Sequence, residues 1–85
     1  RTVFSAYSTL EGTGLLRDLS MGGCCIESPV TVEAGVSLQL LTYAPDVPLL
    51  IEAATVQWVR PQTFGVGFFR ISEYTRLQLA QVISS

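Results

Sequence analysis

The residues best suited to bind a ligand lie at the end of a predicted strand, where Asp18 and Ser20 precede two glycines. Because side chains alternate along a strand, Asp18 and Ser20 are predicted to share one face, with Leu19 on the opposite face. A carboxylate and a hydroxyl on one face provide hydrogen-bonding groups for a polar ligand. Gly22 and Gly23 then allow a positive φ or a close approach of the backbone to that ligand.

The same residues also fit a purely structural turn. Apolar residues on both sides, at 15, 16 and 19 and at 24–26, predict two strands that a polar turn connects. In such a turn Asp18 and Ser20 would accept hydrogen bonds from backbone N–H groups, and the glycines would relieve strain. Local sequence by itself favours this turn over a ligand site, and both interpretations stay open at this point.

Length and composition predict one folded domain. The chain has 85 residues, of which 48% are hydrophobic and 14% charged, so it is too short for a second domain and too apolar for disorder. No apolar run approaches the roughly 20 residues of a transmembrane helix, and the first residues lack the layout of a signal peptide. These features predict a soluble, cytoplasmic protein. Because the sequence starts with Arg1 rather than Met, a longer protein with an upstream segment is compatible with it.

The charge argues against nucleic acid as a partner. A net charge of −2 and the lack of lysine do not suit a protein that neutralises many backbone phosphates. The five arginines still suffice for a small phosphorylated ligand, because guanidinium groups bind phosphate and stack on flat rings.

Catalysis and metal binding are not expected. The chain has no histidine, no close pair of carboxylates at a strand end and no nucleophile beside an evident base. Cys24 and Cys25 are adjacent and should face opposite sides of a strand, which disfavours a disulfide between them. Two thiols without a histidine are also too few ligands for a four-coordinate zinc site. One of the two cysteines is predicted to be a small core residue. The sequence therefore predicts a binding protein without cofactor or metal.

Strand and helix signals place these residues in a β-rich fold. A glycine-bearing turn is predicted at 10–14, after the first strand. Six strands without crossover helices exclude a parallel sheet and leave an antiparallel barrel, closed or sandwich-like. The strands are predicted at 2–9, 15–19, 23–27, 36–43, 49–60 and 64–71.

One helix is predicted to end the chain and to cover the barrel. Ser72 suits its N-cap, and Glu73 suits the positive end of the helix dipole. Tyr74 and Leu77 lie off the apolar face, so they belong either to a wide buried stripe or to an exposed contact surface. The apolar face itself consists of Leu79, Ala80, Val82 and Ile83.

Two further side chains are assigned by strand alternation. Arg17 is predicted to face away from Asp18 and Ser20 and to be a surface residue. Trp58 alternates with its neighbours on a long strand and is predicted to belong to the core.

The motif Asp18-x-Ser20-x-x-Gly23, the closing hairpin at 53–68 and the terminal helix together resemble the PilZ domain, a bacterial family of cyclic di-GMP receptors. The resemblance extends over residues 2–83. It implies a six-stranded antiparallel β-barrel of the split-barrel type, followed by a C-terminal α-helix, in a single domain over 1–85. In that family the Asp and Ser of the motif bind the guanine edge and the Gly lets the loop close on the ligand. These roles would fall to Asp18, Ser20 and Gly23.

The family also carries an Arg-x-x-x-Arg stretch ahead of its first strand, which contacts the ligand phosphates and stacks on the guanines. That stretch is not visible in the sequence, and Arg1 is the candidate that stands nearest to its place. The arginine pair is therefore expected either upstream of Arg1 or not at all.

The resemblance implies two alternative functions. The first is a cyclic di-GMP-binding regulatory domain that signals by ligand-driven rearrangement, acts on a protein partner or a fused domain, and does not insert into a membrane. The second is a PilZ-like adaptor that does not bind nucleotide and acts through protein contacts.

Overall fold

Six strands and one helix form the ordered elements of residues 2–6, 10–43 and 46–84, which are the residues that the computed structural model describes. The predicted number and order of elements are confirmed. The elements are β1 (Thr2–Ala6), β2 (Leu10–Leu19), β3 (Gly23–Glu27), β4 (Ser37–Tyr43), β5 (Pro48–Val59), β6 (Thr63–Arg70) and α1 (Glu73–Ser84).

The strands close into a barrel in the order β1-β2-β3-β6-β5-β4. All six neighbouring pairs are antiparallel. Four of these pairs, β1–β2, β2–β3, β4–β5 and β5–β6, join strands that are consecutive in the chain, an arrangement that short connections allow between antiparallel strands. The six-stranded antiparallel barrel with a C-terminal helix is therefore confirmed.

The predicted turn at 10–14 is wrong, because β2 already begins at Leu10. Gly12 lies opposite Phe4 in the β1–β2 register, and a Cβ at Gly12 would lie only 2.6 Å from the Phe4 ring. This glycine makes room for a core side chain and does not mark a turn. Residues 7–9, predicted as the end of the first strand, lie outside the described residues. The bounds of the last four strands agree with the prediction to within one residue.

The barrel interior is an apolar core around two aromatic rings. Phe4 and Phe64 meet edge to face, with ring centroids 5.2 Å apart and an interplanar angle of 77°. Val30 and Val32, from the segment between β3 and β4, pack against this core. The buried members of the core are Phe4, Ala6, Ile26, Val32, Leu38, Leu40, Ile51, Ala54, Val56, Phe64 and Val66.

Helix α1 packs where β2 ends and β5 begins. Leu79 is fully buried against Leu49, and Leu16 and Leu19 of β2 pack against the same cluster. Leu19 is the last residue of β2, so the helix supports the strand end that carries the predicted ligand motif. Among the described residues, no helix has the length and apolar composition that crossing a bilayer requires.

The predicted helix signals are partly confirmed. Ser72 is the N-cap, since the backbone N–H of Thr75 donates to its Oγ at 3.1 Å. Leu79 is buried and Val82 is half-buried, but Ala80 and Ile83 are exposed, so the buried stripe is narrower than predicted. Tyr74 and Leu77 are 70% and 58% exposed, so they lie on the surface and do not belong to a wide buried stripe.

Candidate ligand-binding site

A β-bulge in β2 places the motif on the outer wall of the barrel. The β2–β3 register shifts between Leu16 and Asp18, so Arg17 is an extra residue that interrupts the alternation. Leu16 and Leu19 both pack against the helix cluster, whereas Arg17 and Asp18 are both exposed.

The prediction that Arg17 faces away from Asp18 is therefore wrong, although Arg17 is a surface residue as predicted. Strict alternation would separate the two side chains, but the bulge brings both to the outside of the barrel. The Arg17 guanidinium forms an exposed ion pair with Glu27, with Nη1 and Oε1 3.2 Å apart.

The motif residues form the hydrogen bonds of a tight turn. Ser20 donates to the Gly23 carbonyl from its backbone nitrogen at 2.9 Å and from its Oγ at 3.2 Å. The Gly22 N–H donates to Ser20 Oγ at 3.3 Å, and the Leu19 N–H donates to Asp18 Oδ1 at 3.0 Å. Among the described residues, the second Asp18 oxygen, Oδ2, has no hydrogen-bond partner. The turn thus holds a hydroxyl in place and leaves a carboxylate oxygen available.

A row of cross-strand neighbours extends from the motif across four strands. Asp18 is paired with Cys25, Cys25 with Gly65 and Gly65 with Trp58. Directly opposed residues share one face of a sheet, so this row runs along the outer wall from β2 to β5. With Ser20 and Gly23 it borders an open pocket of about 230 Å³.

Trp58 lines this pocket, so its prediction as a core residue is wrong. Its side chain is 38% exposed and lies over Gly65, where a Cβ would overlap the indole. A register shift between Val56 and Trp58 explains the error: Val56 faces the core, and alternation alone would place Trp58 beside it. The glycine in β6 was the available signal, because a glycine within a strand often marks a close approach of a neighbouring group.

The motif glycines serve the barrel itself. Among the described glycines, only Gly35 has a positive φ, of 93°, so the positive φ considered for Gly22 and Gly23 is not found. A Cβ at Gly23 would overlap the backbone carbonyl oxygen of Val66. Gly23 therefore permits a close approach between β3 and β6, and a contact between Gly23 and a ligand stays a prediction.

The two cysteines differ in environment, and neither forms a disulfide. Both cysteines border the pocket, and Cys24 also packs against the barrel core, as predicted for one member of the pair. Burial, together with smaller electrostatic contributions from Cys25 and Asp18, raises the pKa of Cys24 to about 12. Cys24 therefore stays protonated at neutral pH and behaves as a small apolar residue.

An arginine contacts Trp58 without bordering the pocket itself. The guanidinium carbon of Arg60 is 4.9 Å from the centroid of the Trp58 ring, within the range of a cation–π interaction. Arg1, the other predicted ligand residue, lies outside the described part of the chain. The structure thus brings together three of the four predicted site residues and adds Trp58. Over residues 2–6, 10–43 and 46–84, no group of three or more His, Cys, Asp or Glu side chains could hold a metal ion.

Comparisons with known proteins agree with this architecture. The family profile described as "PilZ domain" matches residues 3–85, and no curated protein matches the chain. Among solved structures, the PilZ domain of CeSA from a cellulose-synthesizing bacterium is similar, with a TM-score of 0.73 and 14% sequence identity. The alignment covers 98% of this chain and 87% of that one. At this level of identity the similarity establishes a shared fold.

Proposed function

The chain belongs to the PilZ domain family, and we propose that it is a receptor domain that binds cyclic di-GMP. The observation that supports this most is the meeting of Asp18, Ser20 and Trp58 around one open pocket. Two of these residues come from the family motif, and the third lies on a strand distant in sequence. The proposal includes no catalytic step.

The side chains of the pocket suit the base of this ligand. A guanine presents two neighbouring N–H donors on one edge, and a carboxylate accepts such donors in charge-assisted hydrogen bonds. Asp18 is exposed, and one of its carboxylate oxygens has no partner among the described residues. Trp58 offers an aromatic ring at the other end of the pocket, and stacking on aromatic side chains is a general way to bind bases.

The size of the pocket limits what enters it. Its volume of about 230 Å³ is below the roughly 300–1,000 Å³ of pockets that enclose a whole drug-sized ligand. One flat base would occupy it, and the remainder of a cyclic dinucleotide would extend along the outer wall. The outward part of the ligand could then contact a segment that precedes β1, a fused domain or a partner protein, which is how binding would be signalled.

Titration calorimetry of cyclic di-GMP into the wild-type chain and into Asp18→Asn tests the proposal. We expect micromolar or tighter binding by the wild type and a loss of at least about tenfold in the variant, which corresponds to about 1.4 kcal/mol. The amide lacks the charge that strengthens the bonds to guanine and replaces one acceptor by a donor. Asp46→Asn is the matched control, because it makes the same change at an exposed residue that does not border the pocket.

Cyclic di-AMP provides the ligand control. It has the same phosphates, but adenine lacks the pair of N–H donors that Asp18 would accept, so it should bind at least about tenfold more weakly. Absence of binding by the wild type at high cyclic di-GMP concentration would refute the proposal and favour the adaptor that acts through protein contacts. Unchanged affinity in Asp18→Asn would show that Asp18 does not contact the ligand.

A further inference from the structure

We infer that Arg60 is a phosphate-binding residue of this site, held next to the pocket residue Trp58 by a cation–π contact. The inference rests on the proposed function, because it assigns the residue that would contact the anionic backbone of the cyclic dinucleotide. Arg60 follows β5 directly and is exposed. It does not belong to the ligand motif from which the pocket was predicted.

The position of Arg60 is fixed at two points. Its backbone N–H donates to the Thr63 carbonyl at 2.8 Å, which closes the turn between β5 and β6. Its guanidinium carbon lies over the Trp58 ring at 4.9 Å from the centroid. The Trp58 indole is in turn held over Gly65, the residue paired with Cys25 on the pocket wall. A series of contacts therefore fixes the arginine relative to the pocket.

The cation–π contact with Trp58 uses none of the hydrogen-bonding groups of Arg60. A guanidinium stacks through its flat face, whereas its five N–H donors point outward in its plane, where they can bind two phosphate oxygens at once. Within the described part of the chain, the one ion pair joins Arg17 to Glu27, so no described carboxylate neutralises Arg60. Its positive charge would attract an anionic ligand to a protein whose net charge is −2.

The other described arginines fit this role less well. Arg17 lies beside Asp18 but is paired with Glu27. Arg70 ends β6 and Arg76 lies in α1. No described arginine lines the pocket directly, and neither Arg70 nor Arg76 contacts the Trp58 ring as Arg60 does. Arg60 is therefore the described arginine that combines an uncompensated charge with contact to a pocket residue.

Calorimetric titration of cyclic di-GMP into Arg60→Gln tests the inference, with Arg76→Gln as the matched control. Both substitutions remove one positive charge and change the net charge equally, but only the first removes the stacked guanidinium. We expect Arg60→Gln to weaken binding by at least about tenfold and Arg76→Gln to stay within about twofold of the wild type. Binding by Arg60→Gln should also depend less on salt between low ionic strength and about 0.15 M.

Two further measurements test whether the effect comes from the contact of Arg60 with Trp58 and from the planar guanidinium. Trp58 is the one tryptophan of the chain, so its fluorescence in Arg60→Gln should differ from that of the wild type without ligand, while the melting temperature stays nearly unchanged. Arg60→Lys keeps the charge but loses the planar pair of donors, so its affinity should lie between those of the wild type and Arg60→Gln.

The outcomes separate this inference from the proposed function. If Asp18→Asn weakens binding and Arg60→Gln does not, Arg60 is not a ligand residue, while the receptor function stands. Equal losses in Arg60→Gln and Arg76→Gln would indicate a general charge effect and would also overturn the assignment. If the wild type does not bind cyclic di-GMP at all, both proposals are refuted.

Discussion

Trp58 depends on Gly65 for its place at the pocket, because any side chain at Gly65 would occupy the space of the indole. We predict that Gly65→Ala displaces Trp58 and destabilises the domain by about 1–3 kcal/mol, the usual cost of overfilling a packed site. In a domain of this size that corresponds to a fall in melting temperature of at least about 4 °C. Thermal unfolding followed by tryptophan fluorescence measures both effects.

Gly22→Ala is the control for Gly65→Ala. No atom lies within 4 Å of a Cβ built at Gly22, and its φ is not in the left-handed region. This variant should keep the wild-type fluorescence and lose at most about 0.5 kcal/mol of stability. If the two variants behave alike, Gly65 does not position Trp58.

Gly23 belongs to the family motif and is also needed by the fold. Its missing side chain lets β3 approach the Val66 carbonyl on β6, in the same turn where its own carbonyl accepts two hydrogen bonds from Ser20. Loss of ligand binding on substitution of Gly23 would therefore not identify a ligand contact. Asp18, which is exposed and bonds only to a neighbouring backbone N–H among the described residues, gives a cleaner test.

Among the elements, α1 contributes to stability through a single fully buried leucine. Leu79 packs on Leu49 and on the β2 leucines, and we predict that Leu79→Ala lowers the free energy of unfolding by about 2–5 kcal/mol through lost burial and a residual cavity. This is a large part of the roughly 5–15 kcal/mol that stabilises a typical domain. Urea unfolding monitored by circular dichroism measures the loss.

Leu77→Ala makes the same chemical change on an exposed part of the same helix, where the side chain is 58% accessible. Its stability should change by less than about 0.5 kcal/mol. A comparable loss in both variants would indicate that the helix itself, rather than the Leu79 contact, determines the effect.

The strands position the site through their irregularities. The bulge at Arg17 lets Leu16 and Leu19 both contact the helix cluster while Asp18 stays outside. The shift before Trp58 moves that side chain from the core to the outer wall. Bulges commonly redirect side chains next to functional sites, and here two of them border one pocket.

For the molecule as a whole, the partly buried Cys24 thiol couples stability to alkaline pH. Its pKa rises from an ordinary value of 9.0 to about 12 in the folded protein, chiefly because of burial. Between these two values the unfolded chain releases a proton that the folded chain retains, so the free energy of unfolding falls as pH rises. The slope contributed by this group is at most about 1.4 kcal/mol per pH unit.

Urea unfolding at about pH 8 and about pH 10.5 checks this prediction. The wild type should lose more stability between these conditions than Cys24→Ala, which has no thiol to ionise at that position. Cys25→Ala, which retains Cys24, should behave like the wild type. A pH dependence that is identical in wild type and Cys24→Ala would show that the Cys24 thiol is not protected by folding.

Local patterns were sufficient for the elements that depend on short-range signals. Alternating apolar residues predicted β4, and Ser72 predicted the start of α1, since the strand period and the N-cap are properties of neighbouring residues. The predictions were wrong where a residue distant in sequence determines the local structure. Gly12 was assigned to a turn because the need for space around Phe4 is invisible in the local sequence.

Residue types and their spacing along the chain were enough to predict the order of the elements, the apolar composition of the core and the motif at Asp18, Ser20 and Gly23. Which further side chains complete the candidate site follows from the three-dimensional fold. The closed barrel brings β2 and β5 to one wall through β3 and β6, and two register shifts turn Asp18 and Trp58 outward. Strand pairing between distant residues fixes the register, and no local periodicity contains that information.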